Sequence, residues 1–126
     1  MARTTLTVQE IESPFDVPAA GVADFTWTAG DVANGNDFAC TGRELILVQN
    51  TDGATPYYVT ISSVVDEKGR TEDIDEYSLA AGDFARFSVG LTNSKGWQQS
   101  DGKINIDVEN AAVEIAVLRL PAGVGR

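Results

Sequence analysis

The residues best able to do chemistry in this chain are carboxylates, and their densest group lies within residues 66–76, where six acids and two bases surround one aliphatic residue. A carboxylate-only mechanism would draw on Glu72, Asp73, Asp75 or Glu76. Such acids need burial to shift their pKa values, and a segment this polar is expected to be a solvated loop. The EF-hand spacing is absent, so a solvated loop is also favoured over a Ca²⁺ site, and cation binding by this loop stays open.

Other nucleophiles and metal ligands are scarce. The chain has no histidine and one cysteine, Cys40. Ser-His and Cys-His pairs, an intrachain disulfide and a zinc-ligand cluster are therefore excluded, and no glycine-rich phosphate loop follows a strand. Cys40 is expected to be a buried apolar residue rather than a reactive thiol. We expect a protein that is not an enzyme and that needs no cofactor or metal.

A second set of candidates consists of polar turn residues and large aromatics. Asn34, Asn36 and Asp37 are typical of a turn, which is favoured over a Ca²⁺ site there. The aromatic candidates for a sugar-stacking platform or an interface anchor are Trp27, Trp97, Tyr57 and Tyr58. Core packing is favoured for Trp27, whereas Trp97 lies among polar residues and is favoured as an interface residue.

The charge balance limits the partners. Nineteen acids against nine bases give a formal net charge of −10, which should repel nucleic acid and anionic lipid. The same charge also suits solubility alone, and the two interpretations stand side by side. No apolar run is long enough to span a membrane, and the start of the chain lacks a signal-peptide pattern. We expect synthesis in the cytoplasm.

These residues must be positioned by β-strands. Four consecutive aliphatic residues in the stretch ELILVQN at 44–50 predict a strand buried on both faces, and a polar turn then leads to a second strand at 57–65. We predict a central hairpin from this pair. Alternation is cleanest at 103–108 and 113–120, which we predict to form another hairpin with one dry and one wet face.

Together the patterns predict an all-β fold: a single-domain β-sandwich or jelly roll of about seven or eight antiparallel strands. The predicted organisation is an extended N-terminal arm at 1–24, the sandwich at 25–121 and a flexible tail at 122–126. Pro14 and Pro18 disfavour a helix in the arm, which we expect to add to a neighbouring subunit or partner. The predicted interface residues are Leu6, Val8, Ile11, Phe15, Val17 and Trp97.

The order of phrases along the chain resembles that of the small capsid decoration, or cement, proteins of tailed bacteriophages. The phrases that carry the resemblance are TAGDVANGNDF at 28–38, RELILVQN at 43–50, LAAGD at 79–83, DGKI at 101–104 and AVLRL at 116–120. The resemblance covers about three quarters of the chain and is a pattern of strands and turns.

This resemblance implies a non-enzymatic structural protein on the capsid exterior of the virion, made in the host cytoplasm. It implies the major capsid protein as partner, commonly with a homotrimer at threefold positions that bridges capsomers. The alternative from another class is a carbohydrate- or Ca²⁺-binding β-sandwich module of a phage tail or an adhesin. Saturable sugar binding or a Ca²⁺-dependent melting shift would favour that alternative.

Overall fold

The architecture is all-β. The computed structural model describes residues 2–11, 21, 23–64, 73–88 and 96–120, and these contain ten strands and no α-helix. The strands are β1 (Thr4–Thr5), β2 (Val8–Glu10), β3 (Thr28–Ala29), β4 (Asn36–Ala39), β5 (Glu44–Asn50), β6 (Tyr57–Ile61), β7 (Ile74–Leu79), β8 (Phe84–Ser88), β9 (Lys103–Val108) and β10 (Val113–Arg119).

The strands form two sheets in a sandwich-like arrangement. The first sheet has the order β1-β4-β9-β6-β7, and the second has the order β2-β10-β5-β8, with β3 also paired to β10. Apolar side chains of both sheets share one core. The fully buried members include Ile61, Ile104 and Ile106 from the first sheet and Val48 and Ile115 from the second. Their burial follows the alternation of the sequence, since successive side chains of a strand point to opposite faces.

Eight of the strands pair in a nested order. β6 pairs with β7, β5 with β8, β4 with β9 and β3 with β10, and each of these pairs is antiparallel. Antiparallel pairs of β5 with β10 and of β6 with β9 then complete the sheets. Strands from the first part of the chain therefore pair with strands from the second part in reverse order, and these pairs alternate between the two sheets.

Both predicted hairpins are wrong. β5 lies in the second sheet and β6 in the first, and β9 and β10 are divided between the sheets in the same way. The polar segments between these strands cross from one layer to the other, over the roughly 10 Å that separates packed sheets. Asn50 holds one crossing: its side-chain amide donates to the backbone oxygens of Thr55 and of Leu79 in the opposite sheet, at 2.9 and 3.1 Å.

The strand at 44–50 is buried on one face rather than on both. Glu44, Ile46, Val48 and Asn50 are buried, whereas Leu47 and the other alternate positions are only half-buried. The inward face includes two polar residues, which are satisfied by hydrogen bonds within the domain. The outward face is apolar without being covered by a third layer of described residues.

The sheets are mixed rather than wholly antiparallel, because the start of the chain adds parallel strands to both. β1 pairs with β4, and β2 pairs with β10. Leu6, between β1 and β2, is only 5% exposed and belongs to the core. Over residues 4–10 the structure thus differs from the predicted arm that joins a neighbour, because these residues complete the domain's own sheets. Residues 12–20, 22 and 121–126 lie outside the described residues.

The turn at Gly35 anchors this N-terminal segment. Gly35 has a φ of 76°, and a side chain there would run into the Arg3 guanidinium and the Asp107 carboxylate. Arg3 donates to Asp107 at 2.8 Å, and the Thr4 amide donates to the Gly35 oxygen at 3.0 Å. Glycine suits this position because it accepts a left-handed backbone and leaves room for the arginine.

Candidate functional site

The outer face of the second sheet carries the largest group of exposed aromatic side chains in the described part of the chain. Since Ile46 and Val48 of β5 point into the core, Leu47 and Gln49 point outward. The register places Ala116 of β10 and Arg86 of β8 beside Leu47, and Glu114 and Phe84 beside Gln49. This face therefore combines an aliphatic centre with polar neighbours.

Three aromatic rings form a ridge across this face, here called the aromatic ridge: Phe25, Trp27 and Phe84. The ring centroids are 5.6 Å apart for Phe25 and Trp27 and 6.3 Å apart for Trp27 and Phe84. Phe25 is 41% exposed and Phe84 is 69% exposed. Such exposure of large aromatics in one cluster marks an interaction surface, whereas isolated exposed apolar residues need no explanation.

The ridge spans the sheet from one side to the other. Trp27 directly precedes β3, and β10 and β5 lie between β3 and β8. Three strand spacings amount to about 14 Å, so rings with centroids 6.3 Å apart must lean toward each other over the two central strands. Ala116 faces outward on β10 yet is only 2% exposed.

Gln9 holds the aromatic segment in place. Its amide nitrogen donates to the Thr26 oxygen at 2.9 Å, and the Thr26 amide donates to its side-chain oxygen at 2.9 Å. Two hydrogen bonds from one side chain thus replace a backbone pairing, and they fix the residue between Phe25 and Trp27. The ridge is therefore positioned before any partner binds, which reduces the ordering cost of association.

A groove of about 230 Å³ continues the face beside Phe25. Gln9, Glu10 and Ile11 line one part of it, and Asp24 and Leu118 are also in contact with the groove. Its size suits a side chain of a protein partner better than a drug-sized ligand, which needs about 300 Å³ or more.

The rim of the face is acidic. Asp24 and Asp83 directly precede Phe25 and Phe84 and are exposed, Glu10 lines the groove, and Glu114 lies on the face itself, where it accepts a hydrogen bond from Gln49 at 2.8 Å. Two bases lie on the same side: Arg86 on β8, and Arg43, which directly precedes β5 and donates to the Leu120 oxygen at 2.9 Å. The face therefore presents rings surrounded mainly by carboxylates.

One further base near the groove is already engaged. Arg119 donates to Glu44 at 2.5 Å and lies 3.5 Å from Glu10. Burial alone would raise the pKa of Glu44, but hydrogen bonds from Thr41 and Arg119 outweigh burial and lower it to about 2. The side chain of Glu44 is 0% exposed, so this pair fastens β5 to β10 under the face rather than acting as a catalytic acid.

The predicted carboxylate candidates are not assembled into a site by the described residues. Glu72 lies outside them. Asp73 accepts hydrogen bonds from the amide and the hydroxyl of Ser63 at 2.8 and 3.0 Å. Asp75 and Glu76 are exposed, but they belong to strand β7, so the predicted loop at 66–76 is wrong at its end. No group of three or more potential metal ligands occurs in the described ranges.

The predicted turn residues Asn34, Asn36 and Asp37 form hydrogen bonds within the turn and to β1. Asn34 donates twice to Asp31, at 3.1 and 3.2 Å, and Asn36 accepts from the Asp31 amide at 2.8 Å. Asp37 accepts from the Thr5 hydroxyl at 2.7 Å. Their oxygens are thus used to hold the turn and β1. The turn interpretation is confirmed for Asn34, but Asn36 and Asp37 are buried residues of β4.

The predicted interface residues divide into three groups. Leu6 is in the core, and Val8 and Trp97 are half-buried and packed against it. Ile11 lines the groove, and its amide donates to the Arg119 oxygen at 2.9 Å. Phe15 and Val17 lie outside the described residues, so their role stays a prediction.

Of the other singled-out residues, Cys40 and Tyr57 lie at the core and Tyr58 is half-buried on β6. Cys40 is 7% exposed, and burial raises the pKa of its thiol. Tyr57 packs against the core, and its hydroxyl donates to Asp52 at 3.4 Å. The prediction of a buried apolar role for Cys40 is confirmed.

The prediction that Trp27 packs in the core is wrong. Phe25 and Phe84 were not identified as candidates from the sequence. Trp27 lies on the outer face because β3 pairs Ala29 with the outward-facing Glu114, and Trp27 lies two residues before Ala29. Phe25 lies two residues before Trp27, and its ring contacts the indole on the same side of the sheet. Phe84 carried a signal, since it alternates with Ala85 and Phe87 and therefore occupies the polar face of its strand together with Arg86 and Ser88.

Comparison with known proteins finds no protein family, no curated protein and no solved structure that matches this chain. In the part of the chain that is described, no helix has the length and hydrophobicity that crossing a membrane requires.

Proposed function

We propose that the sandwich is a jelly roll. The nested antiparallel pairing of β3 with β10, β4 with β9, β5 with β8 and β6 with β7 supports this topology, since it distributes eight strands over two four-stranded layers. Jelly rolls occur in viral capsid and lectin domains, so the fold suits both functions considered for the chain.

We infer that the protein is a non-enzymatic structural protein, a decoration or cement protein that binds the outer capsid surface of a tailed bacteriophage and bridges capsomers. The observation that carries a binding role is the exposed aromatic ridge, in which Phe84 is 69% exposed and in contact with Trp27. The resemblance of the strand and turn phrases directs that role to the capsid. The lack of histidine supports a non-enzymatic protein.

The proposed partner is the major capsid protein, and the proposed assembly is a homotrimer on the exterior of the virion. Nucleic acid and membrane surfaces are poor partners for a chain with a formal net charge of −10. Synthesis in the host cytoplasm followed by attachment to finished heads fits this proposal.

The second candidate is a carbohydrate-binding module, which is favoured by the exposed rings on a sheet face. The rings are inclined to one another by 58° and 52°, so they do not form one flat platform for a chain of sugar rings. This geometry ranks protein binding above carbohydrate binding. For the Ca²⁺-binding form of the alternative, the test is a melting shift with added Ca²⁺.

The deciding experiment is co-sedimentation of the purified protein with expanded heads of the phage that encodes it. We expect saturable binding with an end point set by the number of capsid positions, and heads that resist heating better when decorated. A glycan array and a Ca²⁺ titration of the melting temperature serve as the parallel measurement. Binding to a defined glycan without binding to heads would replace the first candidate by the second.

A further inference from the structure

We propose that the outer face of the second sheet is the surface that contacts the capsid, and that the capsid side presents lysine or arginine side chains around an apolar patch. This inference rests on the proposed function and adds the face and the chemistry of its partner. The face is defined by the aromatic ridge, the half-buried Leu47 and the groove beside Phe25.

The apolar part of the partner follows from the ridge. Phe84 is 69% exposed and Phe25 is 41% exposed, whereas Phe38 and the isoleucines and valines of the core are almost completely buried. A protein gains little from displaying exposed phenylalanines on either side of a tryptophan unless a partner covers them. Aromatic residues that are rigidly held are also the residue type that dominates interface energies.

The basic part of the partner follows from the charges around the ridge. Asp24 and Asp83 directly precede Phe25 and Phe84 and are exposed, Glu114 lies on the face, and Glu10 lines the groove. The nearby Arg119 is paired with Glu44 at 2.5 Å and with Glu10 at 3.5 Å. A guanidinium or ammonium group can lie over a phenylalanine ring and still reach a carboxylate, so both kinds of group on this face attract the same side chains. Arg86 on β8 opposes this attraction, and Arg43, which directly precedes β5 and donates to the Leu120 oxygen at 2.9 Å, is a second base on this side of the sheet.

The same charges decide between a basic partner and a second copy of the chain. Two copies that met through this face would bring their acidic rims together, and each copy carries a formal net charge of −10. Like charges placed opposite each other oppose association. The face is therefore assigned to the capsid, and contacts between copies are left to other surfaces.

The test compares binding of surface variants to expanded heads by co-sedimentation. Phe84→Ser removes the most exposed ring of the ridge, and Val32→Ser removes a side chain of similar exposure, 53%, from the turn between β3 and β4. We expect Phe84→Ser to weaken binding at least about tenfold and Val32→Ser to leave it unchanged. Thermal unfolding of both variants establishes that each is folded.

A charge variant tests the basic partner separately. Asp24→Lys combined with Asp83→Lys should weaken binding about fivefold or more, because it reverses the charge of the rim. Raising the salt from about 50 to about 500 mM should weaken wild-type binding and have less effect on this variant.

The outcomes are separable. If wild-type protein binds heads and folded Phe84→Ser binds equally well, the face assignment is overturned while the proposed function stands. If Phe84→Ser weakens binding but neither salt nor the charge variant does, the basic partner is overturned. If Phe84→Ser changes the oligomeric mass and not head binding, the face joins copies of the chain and the inference is overturned. If wild-type protein does not bind heads, the proposed function is overturned and the inference with it.

Discussion

Single residues on β5 show how strongly burial differs between its two faces. Glu44 is buried at the start of this strand with its charge intact, because Thr41, Gly42 and Arg119 donate to its carboxylate. A buried carboxylate with this many donors stabilises the fold only while it is ionised. It therefore links the stability of the second sheet to pH.

Replacing Glu44 by glutamine should destabilise the domain and flatten its acid response. The folded pKa of about 2 lies below the ordinary 4.5, so the stabilisation is complete above about pH 4.5 and is lost as the pH falls toward 2. We expect Glu44→Gln to cost on the order of 3 kcal/mol at pH 7 and to reduce the loss of stability between these pH values. Denaturant unfolding at several pH values measures both effects.

The matched control is Glu10→Gln, since Glu10 meets the same arginine at 3.5 Å but has a side chain that is 62% exposed. An exposed pair contributes about 1 kcal/mol or less, so this variant should unfold almost like the wild type. Equal stability and equal acid response of Glu44→Gln and wild type would contradict the role assigned to the buried pair.

Neighbouring aliphatic residues on β5 should differ in the same way. Ile46 is 1% exposed in the core, whereas Leu47 faces outward and is half-buried. We expect Ile46→Ala to cost about 2–5 kcal/mol and Leu47→Ala about 1–2 kcal/mol, because Leu47→Ala leaves no closed cavity. Denaturant unfolding of the two variants in parallel makes the comparison. A larger cost for Leu47 would mean that a second layer covers the outer face in solution.

At the scale of elements, the N-terminal strands are part of the sandwich rather than an appendage. β1 and β2 extend opposite sheets, and Leu6 between them enters the core at 5% exposure. Arg3 adds an ion pair to Asp107 of β9 at 2.8 Å. The segment thus pairs with both sheets, and its removal should expose the backbone of β4 in one sheet and of β10 in the other.

Leu6→Ala should therefore lower the free energy of unfolding by about 2–4 kcal/mol, whereas the exposed neighbour Thr7→Ala should change it by about 0.5 kcal/mol or less. Deletion of residues 2–11 should destabilise the domain further. Chemical denaturation followed by circular dichroism provides the measurement. If the deleted protein keeps the full stability of the wild type, β1 and β2 contribute only a passive arm.

At the scale of the whole molecule, the proposed assembly is a homotrimer. Association of folded subunits would add stability to a small domain that has no disulfide. Light scattering at micromolar concentration should give about three times the chain mass of 13.4 kDa. Each pairwise interface should bury on the order of 1,000 Å² or more. A monomer mass under these conditions would refute the trimer, and it would leave the assignment of the aromatic ridge to the capsid in place.

The sequence by itself determined where most of the strands lie and which side of β9 and β10 faces the core. The alternation of Ile104, Ile106 and Val108 with polar residues predicts their burial, and the structure agrees. A turn at Asn34 was also predicted, and Gly35 beside it has a left-handed backbone, although β4 already begins at Asn36. These features are local, since the period of a strand and the conformational freedom of glycine depend on a few neighbouring residues.

Only the tertiary structure decided which strands are partners. Both predicted hairpins joined segments that lie in opposite sheets, because alternation records which face meets the core and not which strand lies alongside. Whether the turn after Asn50 reverses the chain within a sheet or carries it across the sandwich depends on hydrogen bonds to distant residues such as Leu79. The aromatic ridge depends on the same information. Phe84 reaches Trp27 only because β10 and β5 lie between their strands, and a pairing between residues so far apart in the chain leaves no periodic trace in the sequence.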